Sequence, residues 1–204
     1  MAELSTDQKS QALTEIAEIL SQGKNEILSA NQHDLARAQT EGLAAPLVKR
    51  LKFDEAKLAE SIEGVLAVSG LEDPVGKIER ATELSQGLEL RKVSCPLGVI
   101  GMIFESRPDA LVQMASLALK SGNSVLLKGG REALETNRVL ANLIQEATAK
   151  RGIPEGWLSL LETREYVQDL LKLEPFIDLL IPRGSNEFVR YIMEHTLIPV
   201  MGHA

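Results

Sequence analysis

Apolar side chains recur along the first part of the chain with the 3.6-residue period of a helix. Leu13, Ile16, Ala17 and Leu20 make one stripe over residues 5–21, and Ser5 with Gln8 has the spacing of a capping box. A second helix is predicted after Gly23 through Ile27, Leu28 and Leu35. A third runs from about Asp54 through Leu58, Ile62, Val65, Leu66 and Val68 to Gly70. Acidic and basic residues interleave between these stripes, as on solvated faces. After Gly87 the period changes. Leu88–Val93 alternates like a strand with one wet face, whereas Leu97–Phe104 is almost continuously apolar, like a strand covered on both sides.

From there strand and helix alternate. Pro108 suits a first helical turn, Ala110–Lys120 carries the helical period, and Ser121-Gly-Asn123 ends it. Ser124–Leu127 is the next buried strand, and residues 131–150 form a long amphipathic helix stopped by Gly152 and Pro154. Strands are predicted at Trp157–Leu161, Phe176–Ile181 and Leu197–Met201, with helices at Glu165–Leu173 and Ser185–Thr196 between them. Short βα connections require a parallel sheet, because parallel neighbours cannot be joined by hairpins. The predicted fold class is therefore α/β: a helical segment over residues 1–87, packed on a doubly wound, Rossmann-like core over 88–204. In such sheets ligands bind beyond the carboxyl ends of the strands. That rule singles out the segments after Phe104, Leu127, Leu161, Ile181 and Met201.

Composition narrows the classes of function. The 204 residues carry 22 Lys plus Arg against 29 Asp plus Glu, for a net charge of −7, and 3% aromatics. An acidic chain poor in stacking platforms is not expected to bind nucleic acid. No run approaches the ~20 apolar residues that span a bilayer, so no membrane partner is expected. The start has neither a basic nor an apolar signal segment, and the single Cys95 forbids an internal disulfide; both fit a cytoplasmic protein.

Candidate chemistry lies at the strand ends. Glu105-Ser-Arg-Pro108 sets an acid, a hydroxyl and a guanidinium before a helix N-terminus, where anions are favoured; a Ser cap and a surface Arg explain the same residues. Lys128-Gly-Gly130 can offer a compact positive donor with room for a ligand against the main chain, or simply a strand-end lysine in water. Pro182-Arg-Gly-Ser-Asn186 can seat a pyrophosphate on a helix N-terminus, with Gly184 giving a sharp turn and Ser185 opening the helix; an ordinary cap reads equally well. Gly98 and Gly101 lack the third glycine of a dinucleotide fingerprint, so close approach of another backbone or of a ligand to the strand is the better account of them. Cys95 reads as a structural thiol. His33, His195 and His203 have no partners at metal-ligand spacing, so no metal is expected.

Residues 95–110, Cys-Pro-Leu-Gly-Val-Ile-Gly-Met-Ile-Phe-Glu-Ser-Arg-Pro-Asp-Ala, closely resemble the gamma-glutamyl phosphate reductases, a branch of the aldehyde dehydrogenase superfamily. Leu119–Gly130, Ile181–Asn186 and Ile198–Ala204 are similar to the same family in the same order. The resemblance implies NADPH-dependent reduction of L-glutamyl 5-phosphate to glutamate 5-semialdehyde with release of phosphate, the second step of proline biosynthesis. It implies that a cysteine thiolate attacks the acyl phosphate and that hydride then reduces the thioester. By motif, Lys128 would contact the adenosine ribose or its 2′-phosphate, and Gly184 and Ser185 would lie beneath the pyrophosphate. Ser106 falls where many aldehyde dehydrogenases have an oxyanion-stabilising asparagine, and Arg107 could bind the anionic substrate. The family's nucleophile lies in a catalytic domain beyond Gly-His-Ala204, so no residue of this chain is expected to be the nucleophile. An uncovered apolar final strand favours homo-oligomers. Two readings stand: part of a working reductase, or a non-catalytic dinucleotide-binding or interaction module derived from the family.

Overall fold

The apolar stripes of the first third do form helices. The computed structural model describes residues 1–162 and 165–202, with the side chains of residues 165 and 166 left aside. Helices α1 (Thr6–Gln22), α2 (Lys24–Thr40), α3 (Ala45–Leu51) and α4 (Glu55–Gly70) open the chain. Ser5 caps α1 through the expected box, its hydroxyl accepting from the Gln8 N–H while the Gln8 side chain accepts from the Ser5 N–H. The short α3 carries no readable period and was not expected. Strands β1 (Ile78–Ser85) and β2 (Leu88–Val93) then form an antiparallel hairpin.

This hairpin corrects the reading of Leu88–Val93. Alternation predicted one wet face, yet every residue of β2 is exposed, because neither face has a covering layer in this chain. β1, which sequence patterning does not predict, is exposed except at the part-buried Thr82. The boundary drawn after Gly87 falls in the hairpin turn, where Gly87 adopts a left-handed φ of 79°.

The main sheet contains β3 (Val99–Ile103), β4 (Ser124–Lys128), β5 (Leu158–Leu160) and β6 (Leu179–Pro182) in the order β5-β4-β3-β6, all parallel. Helices α5 (Pro108–Lys120), α6 (Leu134–Lys150), α7 (Glu165–Leu170) and α8 (Asn186–Glu194) connect or follow them, with a turn of 3-10 helix at Arg131–Ala133 before α6. Four expected strands are shorter: β3 loses Leu97, Gly98 and Phe104, and β5 loses Trp157 and Leu161. β6 begins at Leu179, and Leu197–Met201 is reduced to a single parallel bridge from Val200 to Leu180. Among the described residues no helix is long and apolar enough to cross a membrane.

The sheet's period of two decides what each face meets. Ile100, Met102, Phe104, Val125 and Leu127 point into a core shared with α5, α6 and the inner stripes of α1 and α4. Val99, Ile103, Leu126 and Leu180 point the other way, toward Leu170, Phe188 and Ile192 of α7 and α8. β3 is thus covered on both sides, as its apolar run requires. The glycines in and before it serve close packing by the protein itself: a Cβ at Gly101 would lie 2.5 Å from Leu180 Cδ2, and one at Gly98 would lie 2.0 Å from Asp178 Oδ2. Asp178 uses that space to accept from the Val99 N–H at 2.8 Å.

Candidate functional site

The chain leaves β3 toward one face of the sheet, through α5, and leaves β6 toward the other, through α8. In sheets of this kind such divergence of two neighbouring strands marks where a ligand crevice lies, beyond their carboxyl ends. Three segments meet there: Glu105–Arg107 after β3, Gly129–Ala133 after β4 and Arg183–Ser185 after β6. The ladder holds to the rim, since the Arg183 N–H donates to the Ile103 carbonyl at 2.7 Å and the Phe104 N–H to the Lys128 carbonyl at 3.0 Å.

Lys128 does not point into water. It is only 6% exposed, and its ammonium donates to the Gly129 carbonyl. The room expected over the two glycines is filled by this chain. A Cβ at Gly129 would lie 2.2 Å from Asn137 Nδ2, and one at Gly130 would lie 1.9 Å from Glu132 Oε1. These glycines therefore admit protein side chains, which corrects the reading of open space for a ligand.

Ser106 is 1% exposed and holds a left-handed φ of 38°, the one positive φ outside glycine among the described residues. Its N–H and its hydroxyl both donate to Glu132 Oε1, at 2.8 and 2.6 Å. Both of its donors are thus committed to one carboxylate. Arg107, by contrast, is largely exposed, and its guanidinium lies 3.5 Å from Asp109. Asp109 Oδ1 and Asn137 Oδ1 are buried acceptors without a partner.

On the β6 side, the Ser185 hydroxyl caps α8 by accepting from the Phe188 N–H at 3.3 Å. Gly184 is needed for room rather than for an unusual φ: a Cβ there would lie 3.0 Å from Phe188 Cδ1 and 3.4 Å from Glu105 Oε1. The crevice floor at Gly184 therefore has the Glu105 carboxylate close above it.

The β4–α6 segment is held from outside the sheet, by residues that sequence reasoning missed. The α6 N-cap, Ala133, has no side chain able to cap. Fully buried Asp34 of α2 does so instead, accepting from the Thr136 N–H and hydroxyl at 2.8 and 2.7 Å and from the Glu135 N–H at 3.3 Å. Arg37 pairs with Asp34 and donates to the carbonyls of Arg131 and Glu132 at 3.2 and 3.3 Å. Farther along, Arg138 grips Glu162 just after β5 with two 2.9 Å bonds. That hydrogen-bonded guanidinium holds the Glu162 carboxyl below its ordinary range against the opposing effect of burial. Apart from Asp34 and Arg37, three positions apart on α2, these partners lie 24 to 102 positions apart, and sequence offered no signal for them.

Cys95 is exposed and precedes β3, at the amino end of the sheet. At roughly 3.3 Å per residue the strand places it ~15 Å or more from the crevice. Among the described residues no cluster of His, Cys, Asp and Glu could hold a metal; His203 lies outside them. His33 is exposed, and His195, after α8, stacks on Tyr191 at 4.1 Å.

Comparison with known proteins agrees with this architecture. The sequence pattern of the aldehyde dehydrogenase family matches residues 1–200. A gamma-glutamyl phosphate reductase of Pelotomaculum thermopropionicum is 60% identical over 204 residues, all of this chain and 47% of that protein. The crystal structure of the Thermotoga maritima gamma-glutamyl phosphate reductase superposes with a TM-score of 0.94 at 36% identity, over 98% of this chain and 49% of that one. The Saccharomyces cerevisiae gamma-glutamyl phosphate reductase gives 0.93 at 42% identity, over 100% and 52%. The chain spans about half the length of the relatives it matches. On the match across nearly its whole length, this chain belongs to the aldehyde dehydrogenase family.

Proposed function

We propose that the chain is the cofactor-binding portion of a cytoplasmic, NADPH-dependent reductase that converts L-glutamyl 5-phosphate to glutamate 5-semialdehyde and phosphate. The observation that carries this reading is similarity over the whole of this chain, and about half of theirs, to gamma-glutamyl phosphate reductases.

The residues present fit a dinucleotide. The close approach at Gly184 leaves the start of α8 uncovered by a Cβ, and first-turn N–H groups without intrahelical acceptors favour a phosphate there. Lys128 supplies a buried positive charge at the neighbouring strand end. When bound, NADPH supplies the hydride. The protein's task is to seat it and exclude water. Glu105 is exposed and must swing from above Gly184, since its charge opposes a phosphate at that place. Arg107, exposed and beside Asp109, is the guanidinium assigned in this reading to the anionic substrate. Ser106, with its donors on Glu132, shapes the loop rather than stabilising an oxyanion. Cys95 stands at the wrong end of the sheet to act as nucleophile. Exposed Ile78, Leu84, Leu88 and Leu90 of the hairpin favour association between copies, which sedimentation velocity tests.

Two assays test the reading. The 204-residue chain alone is expected to bind NADPH in calorimetry yet show no phosphate-dependent reduction of NADP by glutamate 5-semialdehyde. Joined in frame to the remaining part of the Pelotomaculum thermopropionicum reductase, it is expected to support that turnover. A folded hybrid without activity favours the non-catalytic module. Turnover by the chain alone, abolished by Cys95→Ala, would show that the nucleophile has been misplaced.

A further inference from the structure

Resting on that reading, we infer that Glu132 is a positioning residue, whose carboxylate fixes the crevice loop Glu105–Arg107 in the shape that receives the cofactor. A serine at φ 38° is unfavourable on its own account, and such a conformation persists only when its surroundings over-determine it. Here the determinant is visible: one oxygen of Glu132 accepts both donors of Ser106. A charged acceptor makes each bond stronger than a neutral pair. The burial of Ser106 keeps water from competing for either.

The approach of Glu132 is itself prepared on three sides. Gly130 has no Cβ, and any Cβ there would stand 1.9 Å from the carboxylate oxygen. The 3-10 turn at Arg131–Ala133 carries Glu132 back toward β3. The carbonyls of Arg131 and Glu132 are anchored by Arg37, which Asp34 holds in turn. A path of contacts therefore runs from α2 through the β4–α6 turn to Ser106. The residues on either side of Ser106 are the exposed Glu105, close to Gly184, and the exposed Arg107. Fixing Ser106 fixes where these two opposite charges leave the backbone, one beside the phosphate seat and one toward the substrate.

The test uses the 204-residue chain, with amide hydrogen exchange by NMR and NADPH affinity by calorimetry. In the native chain the Ser106 amide is expected to be protected. Glu132→Ala, and Glu132→Asp, whose side chain is too short by one methylene, should expose it while the β3 and β4 ladder amides keep their protection. Both should weaken NADPH roughly tenfold, the equivalent of one lost charged hydrogen bond. Glu132→Gln keeps an acceptor oxygen and should retain most of the protection and affinity. A Ser106 amide still protected in Glu132→Asp overturns the inference, and so does its exposure with NADPH affinity unchanged. A native chain that binds no NADPH overturns the cofactor reading instead. Exchange at Ser106 in the variants then decides by itself whether Glu132 holds the loop.

Discussion

At the scale of single residues, Lys128 and Gly184 contribute to the same crevice by different physics. Lys128 brings a positive charge that the strand end already holds largely out of water before any ligand arrives. Lys128→Ala should therefore weaken NADPH roughly tenfold or more, and NADH less if the ammonium reaches the 2′-phosphate. Gly184 brings only the absence of a side chain. Gly184→Val should push Phe188 and Glu105 aside and weaken both cofactors alike. Calorimetry with the two cofactors distinguishes the outcomes. Equal affinities in Lys128→Ala and the native chain would reduce the lysine to a packed strand end. Ser106 was legible in the sequence as a residue of interest, but its meaning was not. The spacing Glu105-Ser-Arg gives a hydroxyl near a helix start, whereas its use depends on Glu132, which is 26 positions away.

At the scale of elements, the period of two sets the energetics of the sheet. Leu127 is fully buried among α5, α6 and the first helices, whereas Leu126 faces the thinner α7–α8 side and is only half-buried. Leu127→Ala should cost about 2 to 5 kcal/mol in denaturant unfolding and Leu126→Ala clearly less. The reverse order would mean that the two faces have been exchanged. Helix α6 depends on another element for its start, since Asp34 of α2 caps it. Asp34→Ala removes a buried carboxylate from three donors and from Arg37. A loss of about 3 to 5 kcal/mol is expected, with Asp34→Asn milder. A loss under about 1 kcal/mol in Asp34→Ala would show that α6 is capped by other means.

At the scale of the whole molecule, buried charges join the first helices to the sheet layer. Lys9 of α1 donates to Asp73 at 2.7 Å, and Lys120 at the end of α5 donates to the Ser69 carbonyl at 2.8 Å and to Ser10 at 3.3 Å. Burial opposes the Asp73 charge, but bonds from Lys9, the Val75 N–H and Thr6 outweigh it and lower its pKa below 3.8. The stability it confers is complete above that value and lost as pH falls through the folded pKa. Asp73→Asn should flatten the acid limb of a plot of unfolding free energy against pH. Burial lowers the Lys120 pKa below 10.5, against the attraction of Asp73 and with the repulsion of Lys9. The unfolded chain then holds more protons between the folded value and 10.5, so this group makes stability rise with pH across that window. Urea unfolding from about pH 2 to pH 11 measures both limbs, and a native acid limb matching that of Asp73→Asn would refute the assignment.

What the sequence determined by itself is local. The capping box at Ser5 and Gln8, the stripes of α1, α2 and, apart from the exposed Leu66, α4, and the apolar run of β3 follow from residue order, because helix and strand periods are short-range. Alternation of strand and helix then forced a parallel sheet, and the carboxyl-end rule pointed to the strand ends where Glu105–Arg107, Gly129–Ala133 and Arg183–Ser185 meet. Tertiary structure decided what fills that crevice and what covers each surface. Nothing near Leu88 says that its strand lies bare on both sides, since exposure depends on layers from elsewhere. Nothing in Lys128-Gly-Gly130 says that Asn137 and Glu132 occupy the room beside the glycines. Asp34 and Thr136 are 102 positions apart, and only the folded chain brings the cap to its helix. Short-range periods are written in neighbouring residues; partners that meet through a shared core become visible only once that core has formed.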